Sequence, residues 1–87
     1  MAYNVVYLDG VEKDLKSLDK SSIRKILNRI ETYLVQSPHE LGKPLTGEFR
    51  GYYRYRWGDY RVIYKIVQKE ILIYILRIGH RRDIYDW

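Results

Sequence analysis

Arginines are the residues of this 87-residue sequence whose spacing is best suited to chemistry. Three of them lie within residues 52–64, where two short aromatic segments flank a Gly-Asp dipeptide at residues 58–59. That dipeptide is typical of the two-residue turn that closes a tight β-hairpin. The pairs predicted by such a turn are Trp57 with Tyr60, Arg56 with Arg61, Tyr55 with Val62, and Arg54 with Ile63.

The predicted hairpin has two different faces, because successive side chains of a strand point to opposite sides of a sheet. One face receives Tyr53, Tyr55, Trp57, Tyr60, Val62 and Tyr64, and the other receives Arg54, Arg56, Arg61 and Lys65. Like charges directly opposite each other cost a few tenths to about 1 kcal/mol. Ordinary solvated arginines are the simpler interpretation, but three arginines without a nearby acid favour an anion-binding site.

Charge is distributed unevenly between the two halves of the chain. The six bases and six acids of residues 1–42 balance, whereas residues 43–87 carry ten bases against five acids and account for the net charge of +5. Such an asymmetry favours nucleic acid as a partner, with an acidic protein as the alternative. Lys43 and Arg50 flank the hairpin and extend its basic patch.

Composition also limits the classes of site and the compartment. The chain has no cysteine and only two histidines, so we expect no metal site and no cofactor. Residues 3–8 are too short for the apolar part of a signal peptide, and no apolar run approaches the ~20 residues of a transmembrane helix. We expect a single cytoplasmic domain spanning residues 1–87, with no membrane partner.

The elements that position the arginines can be predicted from periodicity. Residues 3–8 favour a strand, and Asp9 with Glu12 suggests the N-terminal cap of a short helix. A second helix, ended by residues 37–38, carries the apolar series Ile23, Ile26, Leu27, Ile30 and Leu34. Residues 39–51 are predicted to be a linker. The hairpin and the apolar run 71–78 then complete a three-stranded antiparallel meander, which gives an α+β fold with the helical hairpin over the aromatic face.

The last nine residues, GHRRDIYDW, add what a nucleic-acid site needs beside the basic patch. Guanidinium groups bind phosphate through paired N–H donors, and a tyrosine ring stacks on a base. Arginines around one phosphate would also stabilise the charge that develops during phosphodiester cleavage. In RNA the 2′-OH already supplies the nucleophile, so neither a metal nor a protein nucleophile is required.

The run KPLTGEFRGYYRYRWGDYRVIY, followed by an apolar strand and GHRRDIY, resembles the RelE/ParE toxin superfamily of toxin–antitoxin systems. The resemblance covers nearly the whole chain and implies a RelE-like fold, similar to that of microbial RNases. For the RelE branch it implies an mRNA interferase that enters the ribosomal A site and cleaves the codon by attack of the 2′-OH. It also implies a RelB-like antitoxin as partner, in an assembly that can be a heterotetramer.

The resemblance assigns roles to individual residues. Arg61 matches the arginine that holds the scissile phosphate, Arg81 matches the C-terminal arginine that stabilises charge or protonates the leaving group, and Tyr85 matches the tyrosine that stacks on the base. Whether Arg81 or its neighbour Arg82 faces the substrate stays open. Arg54 and Arg56 stand where the RelE type has two lysines.

That last difference affects the general base. An arginine stays protonated, so Arg54 and Arg56 can bind phosphate but are poor bases. His80 is the nearby side chain with a suitable ordinary pKa. The alternatives are a slow enzyme that relies on positioning and charge, or a protein that no longer cleaves.

Two further functions remain open. A ParE-like protein would poison DNA gyrase without catalysis, and it would have no chemical need for Arg61, Arg81 and Tyr85 together. A non-toxic RNA-binding module would bind polyanions with a steep salt dependence but would cleave nothing.

Overall fold

The computed structural model describes residues 2–80. Within that range the chain forms a five-stranded sheet and three α-helices. In chain order they are β1 (Asn4–Tyr7), α1 (Asp9–Leu15), α2 (Lys20–Thr32), α3 (Pro38–Leu41), β2 (Lys43–Pro44), β3 (Tyr53–Trp57), β4 (Tyr60–Val67) and β5 (Leu72–His80). Short 3₁₀ helices lie at Leu34–Gln36, Gly47–Phe49 and Gln68–Glu70.

The sheet has the strand order β1-β5-β4-β3-β2. Strands β3, β4 and β5 form the predicted antiparallel meander, and the predicted α+β class is confirmed. The apolar run of β5 is explained by its central position, since it pairs with β4 on one side and with β1 on the other. The pairing of β1 with β5 is parallel, and all the other helices and strands of the described residues lie between these two strands in the chain.

Helix α2 has a side-chain cap at its first turn. Asp19 is the N-cap residue, and its side chain accepts a hydrogen bond from the backbone N–H of Ser22 at 2.7 Å. That hydrogen bond lowers the pKa of the Asp19 carboxyl below its ordinary value. The α-helix ends at Thr32, earlier than predicted, and Leu34 reaches the core from the 3₁₀ helix that follows.

The predicted cap of α1 is wrong. Leu8 occupies the N-cap position without a side-chain cap, and Asp9 lies inside the first turn. Its carboxylate still stands at the positive end of the helix dipole, which is favourable there. The predicted helix is therefore correct, but its first residue lies one position earlier than the cap pattern indicated.

One face of the sheet, called here the helix face, holds the core. Its buried residues come from α1, from α2, from the 3₁₀ helix Leu34–Gln36 and from the three meander strands. They are Val11, Ile26, Ile30, Leu34, Val35, Tyr55, Val62, Tyr64, Ile73, Ile75 and Ile78. Burial of each large apolar side chain stabilises the fold by about 1.5–3 kcal/mol, so this cluster fixes the orientation of the hairpin.

The segment predicted to be a linker is ordered structure. Pro38 starts the short helix α3, and Lys43–Pro44 adds β2 to the edge of the sheet beside β3. The buried hydroxyl of Tyr64 donates a hydrogen bond of 2.6 Å to the carbonyl oxygen of Pro38. This contact between distant parts of the chain gives residues 38–44 a defined path that their composition did not indicate.

Candidate nucleic-acid interface

The hairpin has the register that its turn predicts. Strand β3 pairs with β4 so that Arg56 lies directly opposite Arg61 and Arg54 lies opposite Ile63. Gly58 has a φ of 58° at the turn, a backbone conformation that glycine adopts at little cost. The three predicted arginines therefore share the sheet face opposite to the core.

A basic residue of β2 also joins this face. Lys43 pairs with Arg54, and paired residues of neighbouring strands point to the same side of the sheet. We call the surface formed by Lys43, Arg54, Arg56 and Arg61 the arginine face. Ile63, only 2% exposed, lies between Arg54 on β3 and Arg77 on β5 and provides an apolar floor.

The electrostatics of the arginine face follow from its register. The partners in register are Ile63 for Arg54, Arg61 for Arg56, and Gly79 on the other side of Arg61. The strand pairing itself therefore brings basic side chains side by side on this face. Guanidinium groups offer paired N–H donors, and such a surface is suited to the oxygens of a phosphate.

Arg77 belongs to the same face by register but serves a different purpose. Its Nε and Nη2 atoms each donate a hydrogen bond of 2.8 Å to the two carboxylate oxygens of Asp14 in α1. These hydrogen bonds raise the pKa of Arg77 above its ordinary value. Arg77 is thus held by α1, and we do not count it in the arginine face.

His80 lies on the other side of the sheet from Arg61. It pairs with Tyr60, and the two rings meet edge to face with centroids 5.7 Å apart. Tyr60 points toward α2, because its hydroxyl donates to the Ser22 hydroxyl at 2.8 Å. The imidazole Nε2 lies 3.9 Å from a carboxylate oxygen of Asp59. The structure therefore groups His80 with the helix face and not with the arginines.

The remaining predicted site residues are placed as follows. Arg50 is exposed and follows the 3₁₀ helix Gly47–Phe49, outside the strands that carry the arginine face. Arg81, Arg82 and Tyr85 lie outside the described residues. Their predicted roles stay predictions.

Arg29 makes contacts that its position in the sequence did not indicate. A base on a surface helix would be expected to be solvated. The Arg29 guanidinium instead lies 4.1 Å from the ring centroid of Tyr33 and 5.7 Å from that of Trp57, and its Nε donates to the Tyr55 hydroxyl at 2.7 Å. The only signal in the sequence was its spacing of three residues from Ile26, which puts both on one side of α2.

Comparison with known proteins identifies the family. The family described as "ParE toxin of type II toxin-antitoxin system, parDE" matches residues 5–85. Toxin RelG of Mycobacterium tuberculosis is 33% identical over 85 residues, which is 98% of each chain. The chain belongs to the RelE/ParE superfamily of type II toxins. Toxin RelE of the same organism is 31% identical over 83 residues, covering 95% of this chain and 86% of that one.

Solved structures of RelE/ParE proteins share the fold. The toxin–antitoxin complex RelBE2 of M. tuberculosis contains a chain with a TM-score of 0.89 at 30% identity, covering 93% of this chain and all of that one. The archaeal RelE–RelB complex of Pyrococcus horikoshii gives a TM-score of 0.64 at 34% identity, with 93% and 97% covered. Within residues 2–80, this RelE/ParE chain has no helix long and apolar enough to cross a membrane.

Proposed function

We propose that this toxin is a ribosome-dependent endoribonuclease that cleaves mRNA in the A-site codon. The observation that carries the proposal is the arginine face, where Arg56 lies directly opposite Arg61 and Arg54 lies on the same side of the sheet. Such a face costs stability and therefore needs a function. Binding and cleaving a phosphodiester is the function that fits its chemistry.

The proposed reaction is attack of the RNA 2′-OH on the adjacent phosphorus, which forms a 2′,3′-cyclic phosphate and releases the 5′ oxygen of the next nucleotide. Water takes up the proton of the 2′-OH and supplies the proton that the leaving 5′ oxygen gains. Arg61 would hold the non-bridging oxygens of the scissile phosphate, and Arg54 and Arg56 would bind it and its neighbour. The negative charge on the phosphate oxygens grows as the new bond forms, and preorganised guanidinium groups stabilise it. From the resemblance, Arg81 would assist this stabilisation and Tyr85 would stack on the base.

His80 is poorly placed to act as the general base of this mechanism. Its place beside Tyr60, on the helix face, disfavours a role as general base for a nucleotide held at Arg61. Arginines do not deprotonate at physiological pH. The proposed enzyme therefore relies mainly on positioning and charge stabilisation, and we expect slow cleavage compared with one that has a dedicated base.

A RelB-like antitoxin is the proposed protein partner. The solved relatives from M. tuberculosis and P. horikoshii are toxin–antitoxin complexes, with 30% and 34% identity to this chain. An antitoxin that covers a surface this basic would be expected to present acidic side chains to it. A toxin–antitoxin heterotetramer is one assembly that such a pair can form.

The second candidate function is gyrase poisoning of the ParE kind. It is favoured by the family match, whose description names ParE. The arginine face argues against it, because a protein that acts only by binding gyrase needs no cluster of phosphate ligands. The two functions leave different products in the cell, namely cut mRNA or broken DNA.

Primer extension on a translated mRNA tests the proposal. Expression of the wild-type toxin should produce cuts within codons, in reactions that contain ribosomes and not in reactions with mRNA alone. Arg61→Ala should abolish these cuts, whereas Arg24→Ala, an exposed arginine of α2, should leave them unchanged. Intact mRNA with growth arrest and DNA damage would refute the proposal in favour of gyrase poisoning.

A stability measurement makes the Arg61→Ala result interpretable. Because Arg56 lies directly opposite Arg61, the Arg61→Ala substitution removes a repulsion of a few tenths to about 1 kcal/mol. We therefore expect an unfolding free energy equal to or above that of the wild type. A clear loss of stability would mean that Arg61 is structural, and the loss of cleavage would then not support its proposed role.

A further inference from the structure

A cleft lies at the tip of the hairpin on the helix face, away from the arginine face. It is formed between the first half of α2 and the turn that joins β3 to β4, and its volume is about 340 Å³. That volume is within the range of sites for small organic ligands. Its lining residues are Ser22, Lys25, Trp57, Gly58, Asp59 and Tyr60.

The aromatic wall of this hairpin cleft is held in one orientation. Trp57 and Tyr60 are cross-strand partners whose ring centroids are 6.3 Å apart, with an angle of 29° between the planes. Tyr60 is fixed by its hydrogen bond to Ser22 and by the edge of His80. The guanidinium of Arg29 lies 5.7 Å from the Trp57 ring centroid. A ring held by these contacts loses little further freedom when another flat group stacks on it.

The polar walls carry opposite charges. Lys25 contributes an exposed ammonium group from α2, and Asp59 contributes a carboxylate, 61% exposed, from the turn. An ammonium group binds phosphate, and a carboxylate accepts hydrogen bonds from the amino group of a base. An indole ring binds the face of any base by stacking. These three groups together match the parts of one nucleotide.

The hairpin cleft is close to the arginine face along the chain. Arg56 precedes Trp57 and Arg61 follows Tyr60, so consecutive residues supply phosphate ligands on one face and rings on the other. Gly58, which lies between them in the turn, is exposed, and a Cβ atom there would contact nothing within 4 Å. The turn therefore leaves open space beside the path from the arginines to the cleft.

We propose that the hairpin cleft binds one unpaired nucleotide of the RNA strand, separate from the nucleotide held at Arg61. The base stacks on Trp57, the phosphate lies at Lys25, and Asp59 accepts from an amino group of the base. This inference rests on the proposed function for the identity of the strand. Asp59 gives the site a preference for bases with an amino group, so oligouridine binds least well.

Binding of a 2′-O-methyl octanucleotide tests the proposal, because that probe has no 2′-OH and stays intact. In a Trp87→Phe background, quenching of Trp57 fluorescence reports stacking, and fluorescence anisotropy of a labelled probe gives the affinity. Lys25→Gln should weaken binding about threefold to tenfold, and Trp57→Leu about tenfold. Lys69→Gln is the matched control, since this exposed lysine lies at the far end of β4.

Two further variants keep the test independent of folding. Trp57→Phe retains an aromatic ring, and it should keep the fold and bind more tightly than Trp57→Leu. Asp59→Asn removes the acceptor carboxylate and should reduce the preference for oligocytidine over oligouridine. A Trp57→Phe protein that folds but binds as weakly as Trp57→Leu would overturn the stacking role.

The outcomes separate this inference from the proposed function. If Lys25→Gln and Trp57→Leu bind the probe as the wild type does, the hairpin cleft is not an RNA site, and the codon cuts decide the proposed function alone. If Trp57 is quenched and these variants weaken binding, but no mRNA is cut, the cleft stands and the catalytic proposal fails. A wild-type protein that does not bind the probe refutes the inference about the cleft, and the codon cuts on ribosomes still decide the proposed function.

Discussion

At the scale of single residues, Gly42 shows how tightly the chain is packed just before β2, the strand that carries Lys43. A Cβ atom at this position would overlap the Tyr64 hydroxyl and lie 2.7 Å from the Cζ atom of that ring and 3.2 Å from the Tyr53 Cβ. The same hydroxyl donates to the carbonyl of Pro38. Gly42 immediately precedes Lys43, so this contact determines where β2 begins and where its lysine stands.

Gly42→Ala should therefore lower the free energy of unfolding by about 1–3 kcal/mol, as overpacking of a filled site does. Tyr64→Phe should cost about 1–2 kcal/mol, because it removes a buried hydrogen bond. The double variant should lose less than the sum of the two, since the oxygen with which the new methyl collides is gone. Urea unfolding measures all three, and additive losses would contradict the predicted contact. Gly42→Ala with Tyr55→Phe is the additive control.

These residues mark the limit of what the sequence could predict. The turn at residues 58–59 predicted the register of the hairpin, and therefore the pairing of Arg56 with Arg61, from purely local rules. Residues 39–51 were interpreted as a linker, because glycine, proline and polar residues are typical of loops. Their actual order depends on the Tyr64 hydroxyl, a contact across 26 positions of sequence that no local pattern contains.

At the scale of elements, Asp14 is the connection between α1 and the centre of the sheet. Its carboxylate receives both hydrogen bonds of Arg77 and a third, of 3.0 Å, from the backbone N–H of Ile78. β1 ends at Tyr7, which pairs with Ile75, so Ile78 lies beyond the part of β5 that β1 can pair. The carboxylate thus replaces a strand partner at the edge where the sheet meets the helix.

Asp14→Ala should cost more stability than Arg77→Ala, because it leaves both the guanidinium and the Ile78 N–H without this acceptor. Hydrogen bonds to charged groups contribute about 1.5–3 kcal/mol. Since the Arg77 side chain is 43% exposed, we expect a loss of about 1–2 kcal/mol for Arg77→Ala and about 2–3 kcal/mol for Asp14→Ala. Urea denaturation provides the comparison. Equal losses would show that the bond to Ile78 contributes nothing.

Elements differ in how far their sequence predicts them. The apolar periodicity of α2 predicted the buried Ile26 and Ile30, because a helix repeats every 3.6 residues whatever it packs against. The parallel pairing of β1 with β5 was not predicted. The alternation of side chains along a strand predicts its two faces but not its neighbouring strand, and β1 and β5 lie at opposite ends of the described chain.

At the scale of the whole molecule, the sheet separates two kinds of surface. The helices cover the helix face and bury its rings and aliphatic residues, which leaves the opposite face for the arginines. The neutral first half of the chain is mainly scaffold, and the basic second half supplies the strands that carry charge. The composition of the two halves predicted this division, since helices that cover a core need apolar stripes and not net charge.

Two tyrosines make the whole fold less stable at alkaline pH. Tyr7 donates a hydrogen bond to a carboxylate oxygen of Glu31 at 2.5 Å, and Tyr64 donates to Pro38. Burial is the main cause that raises the pKa of each hydroxyl above the ordinary value of 10.0, and Glu31 raises that of Tyr7 further. Above pH 10 the unfolded chain therefore releases protons that the folded chain keeps.

Above pH 10 the unfolded state binds fewer protons than the folded state, so the free energy of unfolding falls as the pH rises. Each tyrosine contributes a slope of up to about 1.4 kcal/mol per pH unit there. Tyr7→Phe should be less stable than the wild type at pH 8, because a hydrogen bond is lost, yet should lose less stability between pH 10 and 11. Urea unfolding followed by far-UV circular dichroism at each pH measures the slopes. Parallel curves for the two proteins would contradict the assignment, because the Tyr7 hydroxyl would then ionise alike in the folded and unfolded chains.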